Sequence, residues 1–192
     1  MKTTTIALAV FGSFAAATKN ATGYYFSLMA ARSGSPIHLS PIAANGTSFW
    51  IGQETADFCP EKIKTPCAPT NYTMFGLEDS SLSLATKVYG GQHAYVEAVT
   101  GLVKYTVPNS GYSPLGSIYD RWSIENERGP GLASLSWTGG LAFCSAKNGK
   151  DSSKGPWQLF AEIEGKTFGP NCLGVDLLIS GNYSQPAAYE YI

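Results

Sequence analysis

The chain has 192 residues and a formal net charge of -1, with acidic and basic side chains scattered and no basic run. That balance leaves no electrostatic footprint for nucleic acid or for an anionic membrane surface. Only 14% of residues are charged, against 12% aromatic and 21 glycines, which points to an extracellular β protein rather than a cytosolic helical one.

Met1-Lys2, an apolar run from Ile6 to Phe14 and the small residues Ala15-Ala16-Ala17 have the pattern of a secretory signal peptide over residues 1–17. The run is shorter than the roughly 20 residues a bilayer span needs. The polar stretch Gly181 to Ile192 lacks the hydrophobic tail of a lipid anchor. We therefore expect secretion without membrane insertion, and one domain over 18–192. Those roughly 175 residues bury about 70% of the unfolded chain's surface, so no cofactor is expected.

From Tyr24 to Ser40 the sequence reads as a hairpin. Phe26, Leu28 and Ala30 alternate with Ser27, Met29 and Ala31, the period of two that sends successive side chains to opposite faces of a strand. Ser33-Gly34-Ser35-Pro36 supplies the turn, and Ile37, His38 and Leu39 resume the alternation as the returning strand. Pro41 and Asn45-Gly46 mark a loop before a strand over Ser48 to Gly52. Further strands are predicted at Asn71 to Phe75 and at Ser81 to Val88, where Leu82 and Leu84 point inward. Gly90-Gly91 and Thr100-Gly101 bracket a hairpin of Gln92 to Val99 and Leu102 to Val107. Pro108 to Gly116 is the longest turn-rich stretch, the kind of loop that carries binding. Arg121 to Glu125, Leu132 to Trp137, Leu141 to Cys144, Trp157 to Ile163 and Val175 to Ile179 complete the set. The expectation is an all-β protein, a single antiparallel barrel or sandwich of about ten to twelve strands with two disulfides. A loose echo of Phe75 to Asp79 in Trp122 to Asn126 keeps a trefoil-like arrangement as the alternative.

Cys59, Cys67, Cys144 and Cys172 form an even set, which in a secreted chain means disulfides. Of three pairings, Cys59 with Cys67 and Cys144 with Cys172 is preferred, because Cys59-Pro60 and Pro66-Cys67 frame a short loop and the polar run after Cys144 leads out and back. The absence of any Cys-x-x-Cys pair argues against zinc and redox catalysis, so no metal is expected. Asn-x-Ser/Thr acceptors stand at Asn20, Asn45, Asn71 and Asn182 and mark surface, with Asn45 and Asn71 the preferred glycan carriers.

No catalytic motif is present: there is no Gly-x-Ser-x-Gly elbow, phosphate-binding glycine loop, dinucleotide fingerprint or His-Glu-x-x-His. His38 and His93 read as hydrogen-bonded structural histidines within strands. Glu54, Asp57, Glu125, Glu162 and Asp176 leave open a glycosidase-type carboxylate pair, although acids on a half-exposed sheet ordinarily solvate it. Trp50, Trp122, Trp137 and Trp157 offer faces for sugar stacking, with core packing the favoured role. The expected protein is not an enzyme.

Phe26-Ser-Leu-Met-Ala-Ala-Arg-Ser-Gly-Ser-Pro-Ile-His-Leu39 resembles the N-terminal signature of a family of small secreted fungal proteins, the phialide-development cell-wall proteins, also described as IgE-binding allergens. Gly91 to Val96, Gly101 to Thr106, Trp122 to Asn126 and Leu141 to Cys144 resemble the family too, so the likeness runs from about residue 24 to 180. Within the family the chain is similar to a hypersensitive-response-inducing elicitor of a plant-pathogenic fungus. The resemblance implies an all-β, disulfide-stabilised protein of the cell wall or culture fluid, perceived by a plant or animal host, and brings no catalytic residues. The implied partner is a host surface receptor or a wall polysaccharide. Candidate recognition residues are Asn109, Tyr112, Pro114 and Leu115 in one loop and Glu127, Arg128 and Pro130 in another. The alternative is a protein that binds or cleaves wall carbohydrate.

Overall fold

The computed structural model describes residues 24–61, 70–125, 133–147 and 154–192. The expected signal peptide, Asn20, Cys67, Glu127, Arg128 and Pro130 lie outside these residues. The described residues form fifteen strands and no helix: β1 Tyr25–Ala31, β2 Ala43–Asn45, β3 Ser48–Ile51, β4 Asp57–Phe58, β5 Phe75–Glu78, β6 Ser81–Leu84, β7 Gln92–Val96, β8 Val103–Tyr105, β9 Trp122–Glu125, β10 Ser134–Trp137, β11 Leu141–Ser145, β12 Trp157–Ala161, β13 Cys172–Gly174, β14 Asp176–Tyr183 and β15 Glu190–Tyr191. The all-β class is as expected. The strand number is higher because β2, β4, β13 and β15 are too short for alternation to reveal them.

Thirteen strands form one antiparallel sheet in the order β13-β11-β12-β3-β8-β7-β6-β5-β1-β14-β10-β9, with β2 beside β3. β13 and β14 are two halves of one strand interrupted only at Val175, whose amide donates to Leu141 O at 2.9 Å. One half pairs with β11 and the other with β1. The sheet thus curls until this strand links β11 to β1, with β10 and β9 continuing beyond β14, which gives a half-barrel wall. The order contains no threefold repeat. The two echoing segments start separate hairpins, β5–β6 within the wall and β9–β10 at its margin.

Alternation decides what lies inside. Phe26, Leu28 and Ala30 on β1, Leu82 and Leu84 on β6, Ala94 and Val96 on β7, and Leu159 and Ala161 on β12 all enter one buried core. Phe49 bridges its aromatic centre, 5.5 Å from Phe75 and 5.3 Å from Tyr105 between ring centroids. Trp122 and Trp137 meet edge to face at 5.0 Å, and Trp157 is also buried. Core packing is therefore the role of these three tryptophans, while Trp50 is half-buried and donates its indole N–H to Asn45 O at 2.9 Å.

The expected hairpin at the start is only half regular. β1 forms, but Ser33 to Leu39 is a run of turns, and Leu39 takes a left-handed φ of 57°. Pairing resumes where Leu39 N donates to Ala30 O, Ala30 N to Ser40 O and Ile42 N to Leu28 O. Ile37 is fully buried and Leu39 exposed, so the apparent alternation reports a tucked turn rather than a strand. His38 is exposed rather than buried in a strand, and its Nδ1 accepts the Arg32 amide at 3.3 Å. The expected strand at Asn71 also shifts, since regular pairing begins at Phe75.

The segment near Ile192 is not a solvated tail. β15 pairs with β4 in a second, two-stranded sheet, and Ala188 and Tyr191 belong to the main core. Gly46 N and the Tyr105 hydroxyl both donate to Ile192 O. This segment fixes the interior behind β7 and β8, and the outer face of those strands carries the surface described next.

Candidate recognition surface

β7 and β8 pair from Ala94↔Tyr105 to Val96↔Val103. The turn between them needs Gly101, which has φ 76° and lies so close to β12 that an added Cβ would meet Ala161 O at 2.5 Å. Because Ala94 and Val96 face the core, His93, Tyr95 and Glu97 occupy the outer face. There Glu97 accepts from the Thr100 hydroxyl at 2.7 Å and pairs with Lys104 at 3.6 Å.

The long connection from β8 to β9 folds back over this face. Val96 and Ile118 exchange two backbone hydrogen bonds, 2.9 and 3.0 Å, so the connection borrows the free edge of β7 beyond the end of β6. Tyr119 covers Tyr95, with ring centroids 5.7 Å apart. Tyr95 is consequently only 5% exposed on what is otherwise an outer face. Burial, and then the nearby Glu97 carboxylate, hold its phenol above the ordinary tyrosine range.

Two small turns shape the rest of the loop. Asn109 has φ 57° beside the Ser110 N to Val107 O bond. Gly116, with φ 80°, allows Ser117 to close a turn on Pro114 O through both its amide and its hydroxyl. The result is a pair of apolar tips held away from the wall: Tyr112 is 79% exposed and Leu115 is 100% exposed. Tyr89, in the approach to β7, is 89% exposed. A cleft of about 450 Å³ opens between the Gly90-Gly91 turn and the loop, lined by His93, Asn109 and Tyr119 among others.

Of the expected recognition residues, the fold thus exposes Asn109, Tyr112 and Leu115 and leaves Pro114 half-buried. The sequence reading missed Tyr89 and the Tyr95–Tyr119 anchor, and the only signal for either was aromatic content near glycine turns. His93 lies on β7 as expected but is exposed, so its side chain is part of the surface.

The remaining expected sites are spread over the molecule. Cys144 and Cys172 face each other between β11 and β13 and form a disulfide, as preferred. Cys59 is also disulfide-bonded, and its expected partner Cys67 lies outside the described residues. Asn71 and Asn182 are exposed, whereas Asn45 is half-buried. Asp57 accepts the Thr70 amide at 2.8 Å and so holds a loop. Arg32 donates to Gly174 O at 2.6 Å, which ties the turns after β1 to β13. Among the described residues no three His, Cys, Asp or Glu side chains gather as a metal site. No helix long and apolar enough to cross a membrane occurs among them.

A disulfide-bonded β wall is a build suited to an extracellular protein. The chain belongs to the PhiA-like secreted protein family, whose model matches residues 26–192, and the protein is extracellular. It is also 38% identical over 78 residues to a protein of the fungus Arthroderma benhamiae described as an uncharacterized secreted protein. That alignment spans 40% of this chain and 37% of the relative. No solved structure matches the chain.

Proposed function

We propose that the protein is a non-enzymatic secreted fungal protein, wall-associated or released, that works by being bound at a host surface and elicits plant defence. The observation that carries this reading is the exposed Tyr112–Leu115 loop, anchored to β7 through Val96 and Ile118. Apolar tips on a rigid support lose little conformational freedom on docking, and a few such residues dominate most interfaces. The partner is a receptor-like macromolecule, since a net charge of -1 offers little to nucleic acid or an anionic bilayer. The test applies native and heat-denatured protein to leaf tissue. Defence triggered by the native form alone is expected, while a response that survives denaturation implicates a linear epitope and contradicts a folded surface.

Binding of wall polysaccharide is the second reading, favoured by a cleft of about 350 Å³ beside the Cys144–Cys172 bridge. Phe160 and Phe168 line it together with Gln158, Asn171 and Thr167. Aromatic faces beside amides and hydroxyls suit a sugar ring, whose two faces are apolar and whose rim is polar. Retention on chitin, glucan or mannan is the expected result of this reading, and flow-through on all three removes it.

A further inference from the structure

Two of the four glycan acceptor sequences are near copies, Asn71-Tyr72-Thr73 and Asn182-Tyr183-Ser184. The fold brings them together: the rings of Tyr72 and Tyr183 stack at 5.8 Å with 22° between their planes. Asn71 and Asn182 flank that stack, and both are exposed. Neither side-chain amide makes a hydrogen bond among the described residues. A trough of about 400 Å³, lined in part by Gln53, Glu54, Thr70, Asn71 and Tyr72, opens beside the first of them.

Asn45 is held differently. Its Nδ2 donates to Glu54 O at 3.0 Å, and its backbone carbonyl accepts the Trp50 indole at 2.9 Å. It also enters a tight turn in which Gly46 and Thr47 have φ 59° and 60°, and Gly46 N is tied to Ile192 O. A bulky substituent on Asn45 Nδ2 must crowd its contact with Glu54 O, at a half-buried position. Transfer precedes folding, so the fold decides which glycan a secreted molecule tolerates, and it tolerates those at the two exposed positions.

We infer that, of the three acceptors among the described residues, Asn71 and Asn182 carry N-linked glycans paired across the Tyr72–Tyr183 stack and Asn45 stays unmodified. In each attachment the asparagine Nδ2 forms a bond to the anomeric carbon of a lipid-linked diphospho-oligosaccharide. The sugar–phosphate bond breaks, the lipid diphosphate leaves with the bonding electrons, and the amide gives one of its two protons to solvent. The proximal sugars then lie against the Tyr72 ring, which is 38% exposed.

The test uses the full chain secreted from a filamentous fungus. Amidase release in heavy-oxygen water, followed by peptide mapping, is expected to label positions 71 and 182 and leave Asn45 as asparagine. A glycan on Asn45, or none at either of the other two positions, overturns the assignment. The pairing has its own readout, the rate of Tyr72 nitration by tetranitromethane before and after release of the glycans from folded protein. A rise of several fold is expected on release, and an unchanged rate contradicts sugars lying on the stack.

Discussion

Gln92 and Tyr191 pair as though both were backbone. The fully buried Gln92 amide donates to Tyr191 O at 2.9 Å and accepts Tyr191 N at 2.8 Å, while its Nε2 also reaches Thr106 O at 3.2 Å. One side chain thereby continues the β7 hydrogen-bond pattern into the interior and clamps β15 across the barrel. Gln92→Leu keeps the volume and removes the clamp, leaving buried backbone groups unsatisfied at about 1–3 kcal/mol each. A loss of roughly 3 kcal/mol in urea denaturation is expected, and a loss below about 0.5 kcal/mol, the level of a neutral surface change, contradicts the clamp.

The same tyrosine predicts an alkaline limit. Burial, with a smaller contribution from Asp57, pushes the Tyr191 phenol up from 10.0 to about 12, and burial raises Tyr105 as well. Both hydroxyls are kept neutral by the fold, so between the unfolded and folded values the native state holds more protons than the unfolded one. The Tyr191 contribution is full below pH 10 and lost as pH rises through 12, and that of Tyr105 is lost at higher pH still. For Tyr191 this is on the order of 2–3 kcal/mol. Stability measured across that window should fall together with tyrosinate absorbance. Ionisation of all tyrosines near pH 10 without loss of fold contradicts the burial.

Cys144 and Cys172, 28 residues apart in sequence, close a loop that includes β12 and the polar segment before it. Loop entropy alone assigns this bridge about 3.5 kcal/mol. The double substitution Cys144→Ala and Cys172→Ala is expected to lower unfolding free energy by about that amount. A change under about 1 kcal/mol means that the strand pairs alone hold the loop closed.

Gly101 is the tightest point of the β7–β8 hairpin. Ala161 N donates to Gly101 O at 2.8 Å, and a methyl group on Gly101 meets Ala161 O while φ stays at 76°. Gly101→Ala should cost more than about 2 kcal/mol through strain and loss of that bond. Thermal denaturation of the variant measures it, and an unchanged midpoint contradicts the close approach.

Much of the wall was legible because its signal is local. Phe26, Leu28 and Ala30, or Leu82 and Leu84, announce their buried face by alternation alone. Ile37 and Leu39 show the limit, since the same alternation arose from a chain of turns in which Ile37 is tucked in and Leu39 turned out. Asn45-Gly46 was legible as a turn, but its two central residues are Gly46 and Thr47, one position later. The C-terminal segment gave no signal because Ala188 and Tyr191 are separated by polar residues, and their burial depends on remote partners, β4 and Gln92. In the candidate surface, the turn-rich run through Tyr112 and Leu115 was visible from its glycines and prolines. Its attachment to β7 was not, because the Val96–Ile118 bridge joins residues with no periodic relation to each other.

The central claim is that the folded loop tips carry recognition, and the double variant Tyr112→Ser, Leu115→Ser tests it most directly. Both side chains are exposed, so the variant should keep its melting temperature to within about 2 °C. In the leaf assay, the account predicts that the dose needed for a defence response rises at least about tenfold, the effect of losing roughly 1.4 kcal/mol of binding. A dose–response curve that coincides with that of the unaltered protein, at equal stability, contradicts it.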